Sequence, residues 1–221
     1  PVEELRTGDR SSGNAISGLS AKEALRSTTF WALVFIYLTA YTCIFSVMIH
    51  QFPYLTDEGY LPNQAAFLVS SLLSLSVVSG LTVGWMSDRW DPILLAAACY
   101  GSGAAGMVAL LWGPSELAVI GYVVGFGVLF GGTTPLTALV TGRAFGSRAH
   151  GVIYGFFQTV ICLSGFIGPT LMGYIHDTTG TYHVGFIGVV AGLFFAALLM
   201  LVFRATRLNT SPPTARTLRR S

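Results

Sequence analysis

The segment Gly84-Trp85-Met86-Ser87-Asp88-Arg89 sets a carboxylate beside a guanidinium where an apolar run ends, just ahead of Asp91-Pro92. A glycine at such a helix end lets two helices approach closely. The carboxylate is placed to accept from free N–H groups at a neighbouring helix N-terminus, whose dipole favours negative charge. Proline suits the first turn of the helix that follows. A second set of residues suits non-covalent binding. Tyr37 and Tyr41 stand four residues apart, hence on one helical face, with His50 and Gln51 further along; Phe126 and Phe130 repeat that spacing and precede Thr133, Thr134 and Pro135. Aromatic faces with a few hydroxyls fit a small organic molecule, and the same pattern also serves plain helix packing.

Other chemistries find no support. His50, Asp57 and Glu58 have no Ser, Cys or His partner at a recognisable catalytic spacing, which argues against an enzyme. Cys43, Cys99 and Cys162 lie inside apolar runs without metal-ligand spacing and read as small apolar packing groups. No Gly-rich phosphate loop or cofactor motif is present, so no cofactor is expected.

The elements that must carry these residues are membrane spans. The 221 residues are 52% hydrophobic and only 10% charged, with a mean hydropathy of +0.65, far from the roughly 25% charge of a soluble domain. About 20 apolar residues cross a bilayer, and runs of that kind lie at about 28–50, 64–86, 92–112, 116–140, 149–174 and 182–203. Threaded this way, all twelve Lys and Arg fall on one side: Arg6, Arg10, Lys22 and Arg26 before the first span, Arg89 between the second and third, Arg143 and Arg148 between the fourth and fifth, and Arg204, Arg207, Arg216, Arg219 and Arg220 after the sixth. The positive-inside rule then makes both termini cytoplasmic. A net charge of +2, spread over loops, does not indicate nucleic acid. Residues 1–27 read as a cytoplasmic linker ending in a surface helix over Ala21 to Arg26, and 205–221 as a disordered tail. The expected fold is an all-α membrane protein, residues 28–204 forming a six-helix bundle.

That bundle contains an internal repeat. Gly80-x3-Gly84-x3-Asp88 closes span two and Pro169-x3-Gly173-x3-Asp177 closes span five, 89 residues later, and the same offset relates the starts of spans one and four and of three and six. Three spans per unit force the second copy to enter from the opposite side. Such inverted repeats recur in secondary transporters.

Here a resemblance becomes specific. Gly84-x3-Asp88-Arg89 resembles the loop signature of the major facilitator superfamily, although Trp90, Asp91 and Pro92 stand where that pattern continues with glycine and two basic residues. Gly168-Pro169-x3-Gly173-x3-Asp177-Thr-Thr-Gly180-Thr-Tyr182, after Gly151-x3-Gly155, is similar to the monocarboxylate-porter and oxalate/formate-antiporter branches, as is Lys22-Glu-Ala-Leu-Arg-Ser-Thr-Thr-Phe30-Trp31. The resemblance implies the C-terminal six-helix half of a transporter in the plasma or inner membrane. Such a protein moves a small organic solute, an organic anion such as a carboxylate first, by alternating access, as symporter or antiporter. Its partners would be the N-terminal half, the substrate and the lipid bilayer.

It further implies that Tyr37, Tyr41, Phe126, Phe130, Thr133 and Gln158 line one wall of the cavity. Gly84, Asp88, Arg89 and Arg143 would form a conformational latch, with Arg148 the alternative to Arg143, and Gly168 and Pro169 a hinge. This half departs from the branches in charge: Ser76 and Gly80 stand where the monocarboxylate branch places Asp and Arg, and Gln158 is the only strongly polar side chain of span five. A buried cation for an anionic substrate must then come from the other half. The remaining reading is a self-contained six-helix protein acting as a homodimeric porter or channel.

Overall fold

The structure, a computed structural model, describes residues 18–113 and 115–210, with side chains to 206. Seven helices follow in order, α1 (Ala21–Leu25), α2 (Thr28–Asp57), α3 (Pro62–Ser87), α4 (Pro92–Leu111), α5 (Glu116–Phe145), α6 (His150–Thr179) and α7 (His183–Thr210), and no strand occurs among the described residues. The last six are long and apolar enough to cross a membrane. Adding 89 to the first residues of α2, α3 and α4 gives 117, 151 and 181, within two residues of where α5, α6 and α7 begin. Several helices outrun the apolar runs, α2 by seven residues and α5 by five. Hydropathy marks the part of a helix that meets hydrocarbon, whereas its hydrogen-bond ladder continues into the interface.

Local signals start and stop these helices. The Ser27 hydroxyl accepts from Phe30 N at 3.2 Å and Ser115 from Ala118 N at 3.2 Å, satisfying N–H groups that the first turn leaves free. Pro62 and Pro92 occupy the first helical positions of α3 and α4. Gly180 ends α6 with φ +72°, a left-handed conformation that glycine adopts at least cost. At the other terminus α7 reaches Thr210, so residues 205–210, expected in the disordered tail, are helical. Ala205, Arg207 and Leu208 are good helix formers that carry the helix past its apolar stretch. Residues 1–17 of the expected linker and 211–221 of the tail lie outside the described residues.

The three-dimensional arrangement exchanges helices between the repeats. α2 packs mainly on α6 and α7, α5 packs on α3 and α4, and α4 packs on α7. The first helix of each unit therefore meets the second helix of the other unit. Neighbours in sequence, such as α2 and α3, touch much less. Two close approaches fix the exchange. A side chain at Gly131 of α5 would collide with the Ser76 carbonyl of α3, and a Cβ on Gly80 would stand 3.1 Å from the Gly131 oxygen; in the other unit a side chain at Gly168 of α6 would collide with the Thr42 carbonyl of α2. Thr42 and Gly131 are 89 residues apart, as are Ser79 and Gly168. Small residues at such contacts let backbones pack where lipid offers no hydrophobic drive.

Ahead of α2, a short strap crosses the Lys/Arg-rich end. Leu19 N donates to the Phe145 carbonyl at 3.0 Å, and Gly18 pairs with Gly146 in an isolated bridge. In α1 Ser20 caps Glu23 and Glu23 returns to Ser20 N at 2.8 Å, so both free donors are met. Those hydrogen bonds hold the Glu23 carboxyl below its usual range. Ala24 is fully buried beneath the strap.

Because overpacking a close contact costs about 1–3 kcal/mol or more, Gly131→Val should lower the melting temperature and the monodisperse yield of the full-length protein. Gly84→Ala should leave both unchanged, since nothing lies within 4 Å of where its Cβ would stand. Size-exclusion chromatography and thermal melting in detergent check the pair.

Candidate functional site

α2 and α5, the first helices of the two repeats, are joined through side chains more than through backbone contact. Tyr41 Oη lies 3.0 Å from Thr137 Oγ1, and since the Thr137 hydroxyl already donates to the Thr133 carbonyl at 2.8 Å, tyrosine is the donor. Nearer the Lys/Arg-free end, Tyr122 Oη donates to Gln51 Oε1 at 2.6 Å. Ten residues separate Tyr41 from Gln51, about 15 Å along a helix, so the seam is bolted at two depths. On α5, Thr133, Thr137 and Thr141 form a ladder at every fourth residue, their hydroxyls donating to the carbonyls of Phe130, Thr133 and Thr137. Such back-bonding lets a hydroxyl sit inside a helix bundle without a partner from elsewhere.

Each expected cavity residue has a definite place. Tyr37, Tyr41, Phe126 and Thr133 are buried in this seam, whereas Phe130 is half-buried and Gln158 is exposed on the outer face of α6. The offset of 89 relates Tyr37 to Phe126 and Tyr41 to Phe130, so the two aromatic pairs are repeat equivalents. The Tyr37 ring meets Phe157 edge-on at 5.2 Å, and Phe157 joins Phe30 and Phe145 in a ring cluster that fills the Lys/Arg-rich end of the seam. The Tyr37 hydroxyl lies beside Thr141 but makes no hydrogen bond; it is the one buried side-chain polar atom among the described residues without one. Thr134 points outward, one residue round the helix from Thr133. Thr137, Tyr122 and the role of Gln51 escaped the sequence reading, although Thr133-x3-Thr137-x3-Thr141 carried the signal.

At the Lys/Arg-rich end the charge network forms around a different carboxylate from the one expected. Asp91 accepts from Arg204 Nε at 2.7 Å, lies 3.5 Å from Arg143 Nη1 and caps α4 by accepting from Ile93 N at 3.1 Å. It ties together the starts and ends of α4, α5 and α7. Asp88 is exposed and has no ion pair among the described residues, while Arg89 lies over the Trp85 ring at 4.4 Å. Asp91-Pro92 held the signal: a carboxylate one residue ahead of a helix-opening proline is an N-cap. Gly84 shows no close helix approach. α6 runs unbroken through Gly168 and Pro169, and the contact of Gly168 with α2 accounts for that glycine by packing.

Comparison with known proteins gives the wider setting. The sequence profile of the Major Facilitator Superfamily matches residues 3–169. Monocarboxylate transporter 12-B of Danio rerio is 34% identical over 162 residues, 69% of this chain and 33% of that protein. Monocarboxylate transporter 13 of Bos taurus is 29% identical over 161 residues, 71% of this chain and 37% of that protein. The chain thus spans about a third of the length of these relatives. A crystal structure of a peptide transporter POT mutant in complex with alafosfalin shares the fold, with a TM-score of 0.62 at 20% identity over 83% of this chain and 38% of that one.

Loss of a helix cap and of partly exposed ion pairs together costs about 1–2 kcal/mol. Asp91→Ala should therefore lower the melting temperature of the full-length protein measurably, and Asp88→Ala should leave it within error. Equal shifts in the two variants would show that Asp91 does not organise this end.

Proposed function

This chain belongs to the major facilitator superfamily, and we propose that it forms one six-helix half of a secondary transporter that moves a small organic anion such as a carboxylate by alternating access. The observation that carries the reading is the exchange of helices between repeats, with α2 on α6 and α5 on α3. Two related units of opposite direction give a bundle two mirrored ways to rock against a partner, as inverted-repeat transporters require. The partner is the N-terminal half of the same protein, and the substrate lies between the halves near the midplane.

The wall this half offers is neutral. Position 80 meets the Gly131 oxygen, and Ser76 lies against Gly131 with its hydroxyl donating to Leu73 O at 2.7 Å. Both places hold small uncharged residues, and a Cβ at position 80 would stand 3.1 Å from the Gly131 oxygen. The cation that neutralises a carboxylate therefore sits on the other half, and this half contributes aromatic surface and hydroxyls, Phe130 at the accessible edge with Tyr41 and Thr133 behind it. Asp88, exposed at the end of α3 and without an ion pair among the described residues, is free to engage that other half as a latch, with Arg89 beside it. The Lys/Arg-rich end faces the cytoplasm, in a plasma or inner membrane, and no cofactor takes part.

Uptake of radiolabelled monocarboxylates by the full-length protein in proteoliposomes, with and without a proton gradient, tests the reading. Asp88→Asn should slow the maximal rate several-fold with little change in half-saturation, about 1 kcal/mol in the barrier for a roughly fivefold loss. An unchanged rate would remove the latch. Absence of uptake across a panel of carboxylates would remove the substrate class, and a protein with only these six spans would favour the homodimer.

A further inference from the structure

The end of the bundle that lacks Lys and Arg holds four carboxylates, Asp57, Glu58, Glu116 and Asp177, and three of the chain's four histidines, His50, His176 and His183. Histidine is thus the only side chain that can bring positive charge there. Apart from Glu116 on α5, the structure places these groups near one another on three helices, α2, α6 and α7. His176 Nε2 of α6 lies 3.7 Å from Asp57 Oδ2 of α2, and its Nδ1 lies 3.7 Å from Asp177 Oδ1. His183 Nε2 of α7 lies 3.2 Å from Glu58 Oε1 at the end of α2, and His50 Nε2 of α2 lies 3.1 Å from the Pro169 carbonyl of α6. Tyr182 stacks on His176 at 4.1 Å and meets His50 at 5.4 Å, while Tyr54 meets His183 at 6.1 Å. Tyr60, Tyr122 and Tyr174 are the remaining titratable groups of this end, and the ends of α3 and α4 bring none.

We propose that this end is a proton-operated clamp, in which protonated His176 and His183 bind Asp57 and Glu58 and hold α2 against α6 and α7, and deprotonation releases it. Histidine changes charge between about pH 5 and 8. With neutral imidazoles the end carries only negative charge; with imidazolium His176 stands between the Asp57 and Asp177 carboxylates at ion-pair distance and His183 Nε2 donates to Glu58. The clamp is therefore strongest where the imidazoles carry their second proton and is lost as pH rises through the histidine range. Every pair is partly exposed, Asp57 at 58% and His183 at 47%, so the effect comes from several pairs acting together. The pairs to Asp57 and Glu58 run from the second repeat to the first, which makes the clamp a tie between the two repeats. It goes beyond the transport reading and does not depend on the substrate or on which side faces the medium.

Hydrogen exchange of residues 52–60 and 176–186 in the purified full-length protein, corrected for the intrinsic pH dependence of exchange, reads the clamp directly. Protection should fall about three- to tenfold between pH 5.5 and 7.5 in the unmodified protein. It should be nearly constant in the His176→Gln/His183→Gln double variant. His150→Gln, at the opposite end, should keep the full pH response. Asp57→Asn/Glu58→Gln should abolish the response in the same way, which keeps the test decisive if the histidine variant does not fold. A pH response that survives in both double variants, or is missing from the unmodified protein, overturns the clamp.

Discussion

Close approach of backbone to backbone between the two repeats is the contact on which the other features depend. Gly131 against Ser76, and Gly168 against Thr42, leave no room for a β-carbon on those two glycines, and Gly80 has little to spare. In hydrocarbon such contacts gain dispersion and hydrogen-bonding energy that apolar side chains facing lipid do not. They seat α3 on α5 and α6 on α2. Because each repeat lends its second helix to the other, neither three-helix unit can bury its interior alone. Only after this exchange do α2 and α5 stand at the spacing that Tyr41–Thr137 and Tyr122–Gln51 span.

The same exchange explains the uneven burial of the helices. Of the most apolar window of α4, 61% is buried, compared with 22% in α3 and 33% in α6. The third helices, α4 and α7, pack on each other near the axis relating the units. α3 and α6 each cover one flank of a first helix and leave their other faces open. The polar residues Ser70 and Ser74 of α3 and Gln158 and Thr159 of α6 lie on those open faces among exposed apolar residues such as Phe67, Leu81 and Phe166.

The fold was legible because its determinants are local or periodic. Apolar length marks a span, lysine and arginine mark one end, and the 89-residue offset marks the repeat, each without knowledge of a neighbour. The site was less legible because its determinants depend on rotation about a helix axis. Tyr37, Tyr41 and Phe126 stand together in the seam as their spacing suggests, yet Thr134 departs from Thr133 by a single step around the helix, and Gln158 lies outside the seam altogether. Charge pairing was hardest to foresee. Asp88 and Asp91 sit three residues apart, and only the turn between α3 and α4 decides that Asp91 reaches Arg143 and Arg204 while Asp88 stays exposed.

The strap ahead of α2 has a mechanical meaning. Leu19 and Gly18 are fastened to Phe145 and Gly146, at the corner where α5 gives way to α6. Any pull transmitted along the chain into Gly18 is delivered first to that corner, in the second repeat, and reaches α2 only through the short capped turn of α1. The attachment works as a tendon inserted beyond the joint it leads into, so a displacement upstream acts on both units at once instead of dragging one helix out of register.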